Sequence, residues 1–333
     1  MIKKLAMLLV GIIVLGTSAF AINLNGAGAT FPYPIYLKWM SVYNQEKGVQ
    51  INYQPIGSGG GVRQFMAGVV DFGATDGYMT DSEMEKAGDD VLHIPTVMGA
   101  VAVVYSLDIQ GLKLDAKTLA GIFLGEIKKW NDPKIVELNP NTNLPDKNIL
   151  VVHRSDGSGT TDIFTNYLAK VDAKWASQVG AGKSVAWPAG VGGKGNSGVS
   201  GVIKNNQGAI GYVELAYAET NKFPTALIKN RAGKFTAPSI GATTAAAAYG
   251  LKKLPSDFRG EILNQPGANS YPICGLTWIL AHKNQSNSEK GKALKAFLIW
   301  ALTDGQKYAD ELYYAPLPKT LRDKVLDTIG EIK

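Results

Sequence analysis

The residues with the clearest chemical capacity form one run, His153-Arg154-Ser155-Asp156-Gly157-Ser158-Gly159-Thr160-Thr161. The apolar stretch from Ile149 to Val152 before it reads as a strand, and Asp162 to Ala169 after it reads as a helix. Hydroxyls and glycines therefore gather at a helix N-terminus, where unpaired N–H groups and the helix dipole favour negative charge. Glycine lets an anion approach the backbone, hydroxyls add donors, and Arg154 offers a planar fork to carboxylate or phosphate oxygens. The chemistry on offer is the binding of a small oxyanion. The same residue types also make an ordinary helix cap.

Repetition separates the two readings. Gly26-Ala27-Gly28-Ala29-Thr30-Phe31-Pro32 precedes a helical run from Tyr33 to Asn44, with Thr30 at the expected N-cap and a proline in the first turn. Gly57-Ser58-Gly59-Gly60-Gly61 follows a strand-like Val49 to Tyr53 and precedes the helical Val62 to Met66. Three such units, each with a hydroxyl at its cap, predict helix N-termini that converge on one anion. Other chemistries lack their residues. His93, His153 and His282 form no ligand-spaced pair, so neither a histidine metal site nor a histidine-based triad is indicated. Gly182-Lys183-Ser184 resembles the end of a P-loop, but Ser177 stands where that motif needs its first glycine. Phe31 occupies the third glycine position of a dinucleotide fingerprint begun by Gly26 and Gly28. No nucleophile elbow surrounds Ser58, Ser158, Ser197 or Ser200. Asp89-Asp90 and the trio Asp81, Glu83 and Glu85 read as solvated faces.

The elements that must position these turns alternate between strand and helix. Val97 to Tyr105 and Ala209 to Tyr212 join the strands above, and Met79 to Ala87, Thr118 to Phe123, Ala242 to Tyr249 and Ala293 to Leu302 join the helices. Alternation of this kind predicts an α/β architecture with mainly parallel pairing. Asn139 to Asp146 and Gly190 to Gly201 read as loops. Two anion-type turns lie before residue 80 and the third at 158, so one shared ligand requires two lobes to meet around it. Residues 1–21 carry the pattern of a cleavable export signal: Lys3 and Lys4, an apolar Leu5 to Leu15, then Ala19-Phe20-Ala21. No cysteine lies at that junction, so no lipid anchor is expected. Cys274, the one cysteine, has apolar neighbours in Ile273 and Leu276 and reads as buried, without a disulfide partner. The formal charge is +6, but the lysines are scattered, so nucleic-acid binding is not indicated.

These residues resemble the phosphate-binding proteins of bacterial phosphate ABC transporters, across essentially the whole exported chain. The likeness runs through the three turns, Asp71-Phe72-Gly73-Ala74-Thr75-Asp76, Lys129-Trp130-Asn131-Asp132-Pro133, Gly193-Lys194-Gly195-Asn196-Ser197-Gly198-Val199 and Tyr314-Ala315-Pro316-Leu317-Pro318. Thr75 stands where the family often has serine. The resemblance implies a two-lobed periplasmic-binding-protein fold of type II, with phosphate in the cleft between the lobes. It places residues 22–100 and 275–333 in one lobe and 101–274 in the other, with crossovers near 98–104 and 271–276. It assigns ligand roles to Thr30, Phe31, Ser58, Asp76, Arg154, Ser158, Gly159 and Thr160, with Asp156 orienting Arg154. The donors would be the N–H groups of Phe31, Ser58, Ser158, Gly159 and Thr160, the hydroxyls of Thr30, Ser58, Ser158 and Thr160, and Arg154. Asp76 only accepts, and so would read whether the ligand has a proton to give. The implied protein is a monomeric periplasmic receptor without cofactor, metal or catalysis, serving a membrane permease and its ATPase. A receptor for sulfate or molybdate, and a phosphatase using Ser158 or Asp76, are the competing readings. The first gains nothing from Asp76, and the second lacks a visible base and metal cluster.

Overall fold

The computed structural model describes residues 22–88 and 90–333, so the export signal expected over residues 1–21 lies outside the described residues. The first half of the chain lays down β1 (Asn23–Gly28), α1 (Tyr33–Lys47), β2 (Gln50–Gln54), α2 (Ser58–Met66), β3 (Phe72–Thr75), α3 (Asp81–Ala87) and β4 (Val91–Tyr105). It then adds β5 (Lys113–Leu114), α4 (Ala116–Phe123), α5 (Pro133–Leu138), β6 (Leu150–Arg154), α6 (Gly159–Val171) and α7 (Ala173–Gln178). The second half supplies β7 (Val191–Gly193), α8 (Gly195–Asn205), β8 (Ala209–Glu214), α9 (Leu215–Thr220), β9 (Leu227–Lys229), β10 (Phe235–Thr236) and α10 (Ile240–Gly250). It closes with β11 (Cys274–His282), α11 (Ser288–Leu302) and α12 (Lys319–Gly330).

Eight strands form one sheet in the order β2-β1-β3-β11-β4-β8-β6-β7, and β10-β9-β5 form a small second sheet. Four of the seven pairings in the large sheet are parallel, as the alternation of elements suggested, and the three at its centre are antiparallel. Its two ends, β2-β1-β3 and β8-β6-β7, are parallel, but β11 runs antiparallel to β3 and β4, and β4 antiparallel to β8. The long strand β4 explains the change. Its residues from Val91 to Ala100 pair with β11, whereas Val101 to Tyr105 pair with β8, so one strand belongs to both halves of the sheet. All fifteen of its residues are buried, as its run of valines and alanines demands of a strand covered on both faces. Pro95 cannot donate to a ladder, and the register slips beside it, between Thr277 and Trp278 on β11.

The glycine-rich turns all sit at the carboxyl ends of parallel strands: after β1, after β2 and after β6. A fourth follows β7, because the glycine run read as a loop from Gly190 to Gly201 in fact becomes α8 at Gly195. Burial of Val199 and Ile203 on its inner face overrides the poor helix propensity of Gly195, Gly198 and Gly201. One large buried core runs through both halves, with Phe31, Trp39, Phe164 and Tyr212 wholly enclosed, and a smaller one gathers Val62, Phe65, Met79, Val91 and Leu280. Cys274 is among the buried members of the large core, and burial pushes its thiol up to about 12.

Candidate functional site

The backbone of the four turns brings them together. The Gly59 N–H, on the turn after β2, donates to Gly157 O on the turn after β6 at 2.9 Å. A methyl group added at Gly159 would stand 2.5 Å from Ser58 Oγ and 2.7 Å from the Asp76 nitrogen, so only glycine permits this approach. Gly57 has φ 87°, a left-handed conformation that turns the chain from β2 into α2. On the fourth turn, the Asn196 N–H donates to Thr30 Oγ1 at 3.1 Å. Lys183 and Arg259 fasten the same two halves further out. Lys183 Nζ lies 3.0 Å from Tyr78 O and 3.4 Å from Glu83, and Arg259 Nη1 lies 2.7 Å from Asp81 Oδ1. Asp81 and Glu83 are therefore partners across the halves rather than merely a solvated face. Asp90 likewise pairs with His282 at 2.8 Å, while its neighbour Asp89 lies outside the described residues.

Thr30, Phe31, Ser58, Asp76, Arg154, Ser158, Gly159 and Thr160 all belong to this cluster and are all buried. Their local roles differ from the expected caps. Thr30 is not the N-cap of α1; Pro32 is, and the chain spends Thr30 and Phe31 on a turn of its own. The Tyr217 hydroxyl donates to Thr30 O and the Tyr314 hydroxyl to Phe31 O, each at 2.6 Å. In a trans peptide the C=O and N–H point opposite ways, so fixing the Thr30 carbonyl also fixes the direction of the Phe31 N–H. Ser58 is the first residue of α2, behind Gly57 as N-cap. Ser158 is a true N-cap, its Oγ accepting from the Thr161 N–H at 3.0 Å. Its own N–H donates to Lys183 O at 2.8 Å, which removes the Ser158 N–H from the expected donors. Among the described residues, the N–H groups of Phe31, Ser58, Gly159 and Thr160 have no acceptor.

Two charges face these donors. Arg154, at the end of β6, makes a fork to Asp156, with Nε 2.8 Å from Oδ1 and Nη2 2.6 Å from Oδ2. Its remaining nitrogen, Nη1, reaches Thr160 Oγ1 at 3.3 Å. Burial alone would raise the Asp156 carboxyl, but the hydrogen bonds and charge of Arg154 and the Gly195 N–H hold it below the usual range. Asp156 thus fixes the guanidinium in one plane. Asp76, at the end of β3, accepts from Thr277 Oγ1 at 2.9 Å, and its N–H donates to Ser58 Oγ at 3.1 Å. Burial pushes the Asp76 carboxyl up to about 7, against the opposing pull of Thr277, Arg154 and Ser58, while Asp162 adds to the rise.

The arrangement is an enclosed cage of donors containing one cation and one acceptor of adjustable charge. It suits a tetrahedral oxyanion that carries a proton on one corner. Among the described residues no group of His, Cys, Asp and Glu is arranged to hold a metal ion. Three contributors escaped the sequence reading. Thr277 is a lone threonine on a strand and carries no local signal. Asn196 and Tyr217 approach Thr30 from elements whose place in the sheet depends on long-range pairing. For Asn196 the sequence did hold a signal, its place in the family-like run from Gly193 to Val199 with a fourth copy of the glycine turn, but that run assigned it no role.

Comparison with known proteins agrees with this geometry. A PBP superfamily domain model matches residues 16–304. Phosphate-binding protein PstS of Haemophilus influenzae is 46% identical over 312 residues, covering 92% of this chain and 93% of that protein. Phosphate-binding protein PstS of Methanocaldococcus jannaschii is 39% identical over 338 residues, covering 94% and 87% respectively. In fold, the chain is similar to a high-affinity periplasmic phosphate-binding protein solved with phosphate, with TM-score 0.73 and 21% identity over 91% of this chain and 93% of that one. A phosphate-bound putative phosphate ABC transporter substrate-binding protein from Clostridium perfringens gives TM-score 0.65 and 17% identity over 89% and 100%. The family match and the extent of the PstS identity lead to one assignment: the chain belongs to the PstS family of phosphate-binding proteins, within the PBP superfamily and its two-lobed fold.

Proposed function

We propose that this protein is an exported, high-affinity receptor that encloses inorganic phosphate between its lobes and delivers it to a membrane ABC importer. The observation that carries the reading is the pairing of many donors with one buried acceptor, Asp76. Dehydrating a doubly charged ion is costly, so its oxygens need donors throughout, and the one proton it retains needs an acceptor. The N–H groups of Phe31, Ser58, Gly159 and Thr160, the hydroxyls of Thr30, Ser58, Ser158 and Thr160, and Arg154 supply the donors. Asp76 takes the proton. Sulfate has no proton at neutral pH and meets a carboxylate it cannot satisfy, which disfavours the sister-oxyanion reading.

The lobes are residues 22–100 with 275–333, and residues 101–274, crossing near 98–104 and 271–276. The switch of β4 from β11 to β8 between Ala100 and Val101 supports that division. Phosphate draws the lobes together because neither carries enough donors alone, and the closed form is what the permease and ATPase subunits recognise. The receptor works as a monomer in the periplasm. No helix among the described residues is long and apolar enough to cross a membrane, consistent with a protein that reaches its transporter by diffusion. The site performs no reaction: the Ser158 hydroxyl meets the Thr161 N–H, the Ser58 hydroxyl meets the Asp76 N–H and carboxylate, and no histidine among the described residues bonds to either one. Titration calorimetry on phosphate-stripped protein, paired with an assay for phosphate released from an aryl phosphate ester, tests this. Tight one-to-one binding without turnover is expected. Ester turnover abolished by Ser158→Ala would establish the phosphatase instead.

A further inference from the structure

Two threonine hydroxyls in the cage have no freedom left. Asn196, wholly buried on α8, sends its side-chain amide nitrogen to Thr30 Oγ1 at 2.9 Å and to Thr160 Oγ1 at 3.1 Å. Its two amide hydrogens thus serve one threonine on each side of the cleft. The orientation of that amide is not arbitrary. Asn196 Oδ1 accepts from the Glu214 N–H at 2.9 Å, and a backbone N–H can only donate, so the nitrogen must face the threonines. Thr30 Oγ1 receives a second donor from the Asn196 N–H at 3.1 Å, and Thr160 Oγ1 a second from Arg154 Nη1 at 3.3 Å. A hydroxyl has one hydrogen and two lone pairs. With both lone pairs engaged, each threonine can only donate.

We infer that Asn196 is a positioning residue that turns Thr30 and Thr160 into obligate donors, so that bound phosphate cannot direct its proton toward either threonine and is steered toward Asp76. This rests on the phosphate-receptor reading and deepens it. An unconstrained hydroxyl rotates to accept as readily as to donate, and a site lined with such groups would tolerate a second P–OH. With Asn196 in place, a second P–OH directed at either threonine would face a donor in a dehydrated site, which favours the dianion. The Glu214 N–H sets the direction of the whole arrangement from the end of β8. The titratable groups facing it are Arg154 and Asp156 from β6 and its turn, Asp76 from the end of β3, and Glu214 and Tyr217 from β8 and α9.

The test compares wild type with Asn196→Ala and Asn196→Asp, using inorganic phosphate as the probe. Calorimetry in buffers of different ionisation enthalpy gives affinity and the protons released per phosphate bound. Below the second ionisation of phosphate, wild type must shed protons on binding, because the bound ion keeps only one and Asp76 has to be ionised to accept it. Asn196→Ala frees one lone pair on each threonine, so it should bind roughly tenfold to a hundredfold more weakly and release distinctly fewer protons. Asn196→Asp keeps the shape and the bond to Glu214, but it replaces the donor with an acceptor that pulls the threonine hydrogens away from the ion. It should bind at least about tenfold more weakly than Asn196→Ala. A packing role predicts the reverse order, since Asp fills the space that Ala leaves empty. Asn196→Asp binding better than Asn196→Ala, or Asn196→Ala releasing as many protons as wild type, would overturn the inference. A wild type that binds no phosphate would overturn the receptor reading itself, and this inference with it.

Discussion

Asp76→Asn distinguishes a site that reads a proton from one that holds any tetrahedral anion. Burial lifts the Asp76 carboxyl to about 7 in the closed site, so above that pH it is ionised and only accepts. The phosphate dianion brings its own proton, and its binding above this pH leaves the proton count unchanged. Sulfate brings none, so it is accommodated only when Asp76 takes a proton from solvent and becomes a donor. Binding linked to uptake of one proton weakens about tenfold per pH unit above the pKa. The wild-type preference for phosphate over sulfate should therefore climb about tenfold per unit above about pH 7, whereas the Asp76→Asn ratio stays flat. At about pH 8 the variant spares sulfate that tenfold penalty. It also costs phosphate a charge-assisted hydrogen bond of about 1.5–3 kcal/mol, roughly tenfold to 150-fold. The preference should narrow by about two to three powers of ten in total. Competition titrations of both proteins across that pH range are the assay. A wild-type ratio that does not move with pH, or a variant ratio equal to wild type, would refute the role given to Asp76.

Other perturbations follow from the same geometry. Arg154→Ala removes a buried charge facing the ligand and should weaken phosphate binding by about 2–5 kcal/mol. Lys183→Ala loses only a partly exposed pair with Glu83 and a bond to Tyr78 O, and should cost about 1 kcal/mol or less; calorimetry that ranks them the other way would move the site toward Lys183. Gly159→Ala puts a methyl group 2.7 Å from the Asp76 nitrogen, where backbone cannot yield. It should lower phosphate affinity by about a hundredfold while leaving the melting temperature of phosphate-free protein unchanged, since the strain of about 1–3 kcal/mol exists only in the closed form. Small-angle scattering should show wild type compacting on addition of phosphate and Gly159→Ala failing to do so.

The parts of the site that were legible in the sequence are those built from local chemistry. Glycines beside hydroxyls at strand ends mark Thr30, Ser58 and the run from Arg154 to Thr160 without reference to the rest of the chain. What could not be read depends on distant partners. Whether Ser58 or Gly57 caps α2 is settled by a left-handed glycine, and whether the Ser158 N–H is free is settled by Lys183 O, which comes from a separate loop. Asn196 was hidden because its helix has three glycines and forms only once Val199 and Ile203 find the core. The antiparallel pairing of β4 and β11 joins residues more than one hundred and seventy positions apart, such as Ala100 and Cys274, and no periodicity encodes it. Asp81 and Glu83 look like a solvated helix face until Arg259 and Lys183 arrive from the other half.

The most direct test of the central claim is equilibrium dialysis of the phosphate-stripped wild type against labelled inorganic phosphate, with and without a large excess of sulfate. One phosphate retained per chain, undiminished by sulfate, is the result a proton-reading phosphate receptor requires. Label displaced by sulfate in proportion to its concentration, or no label retained at all, would contradict it.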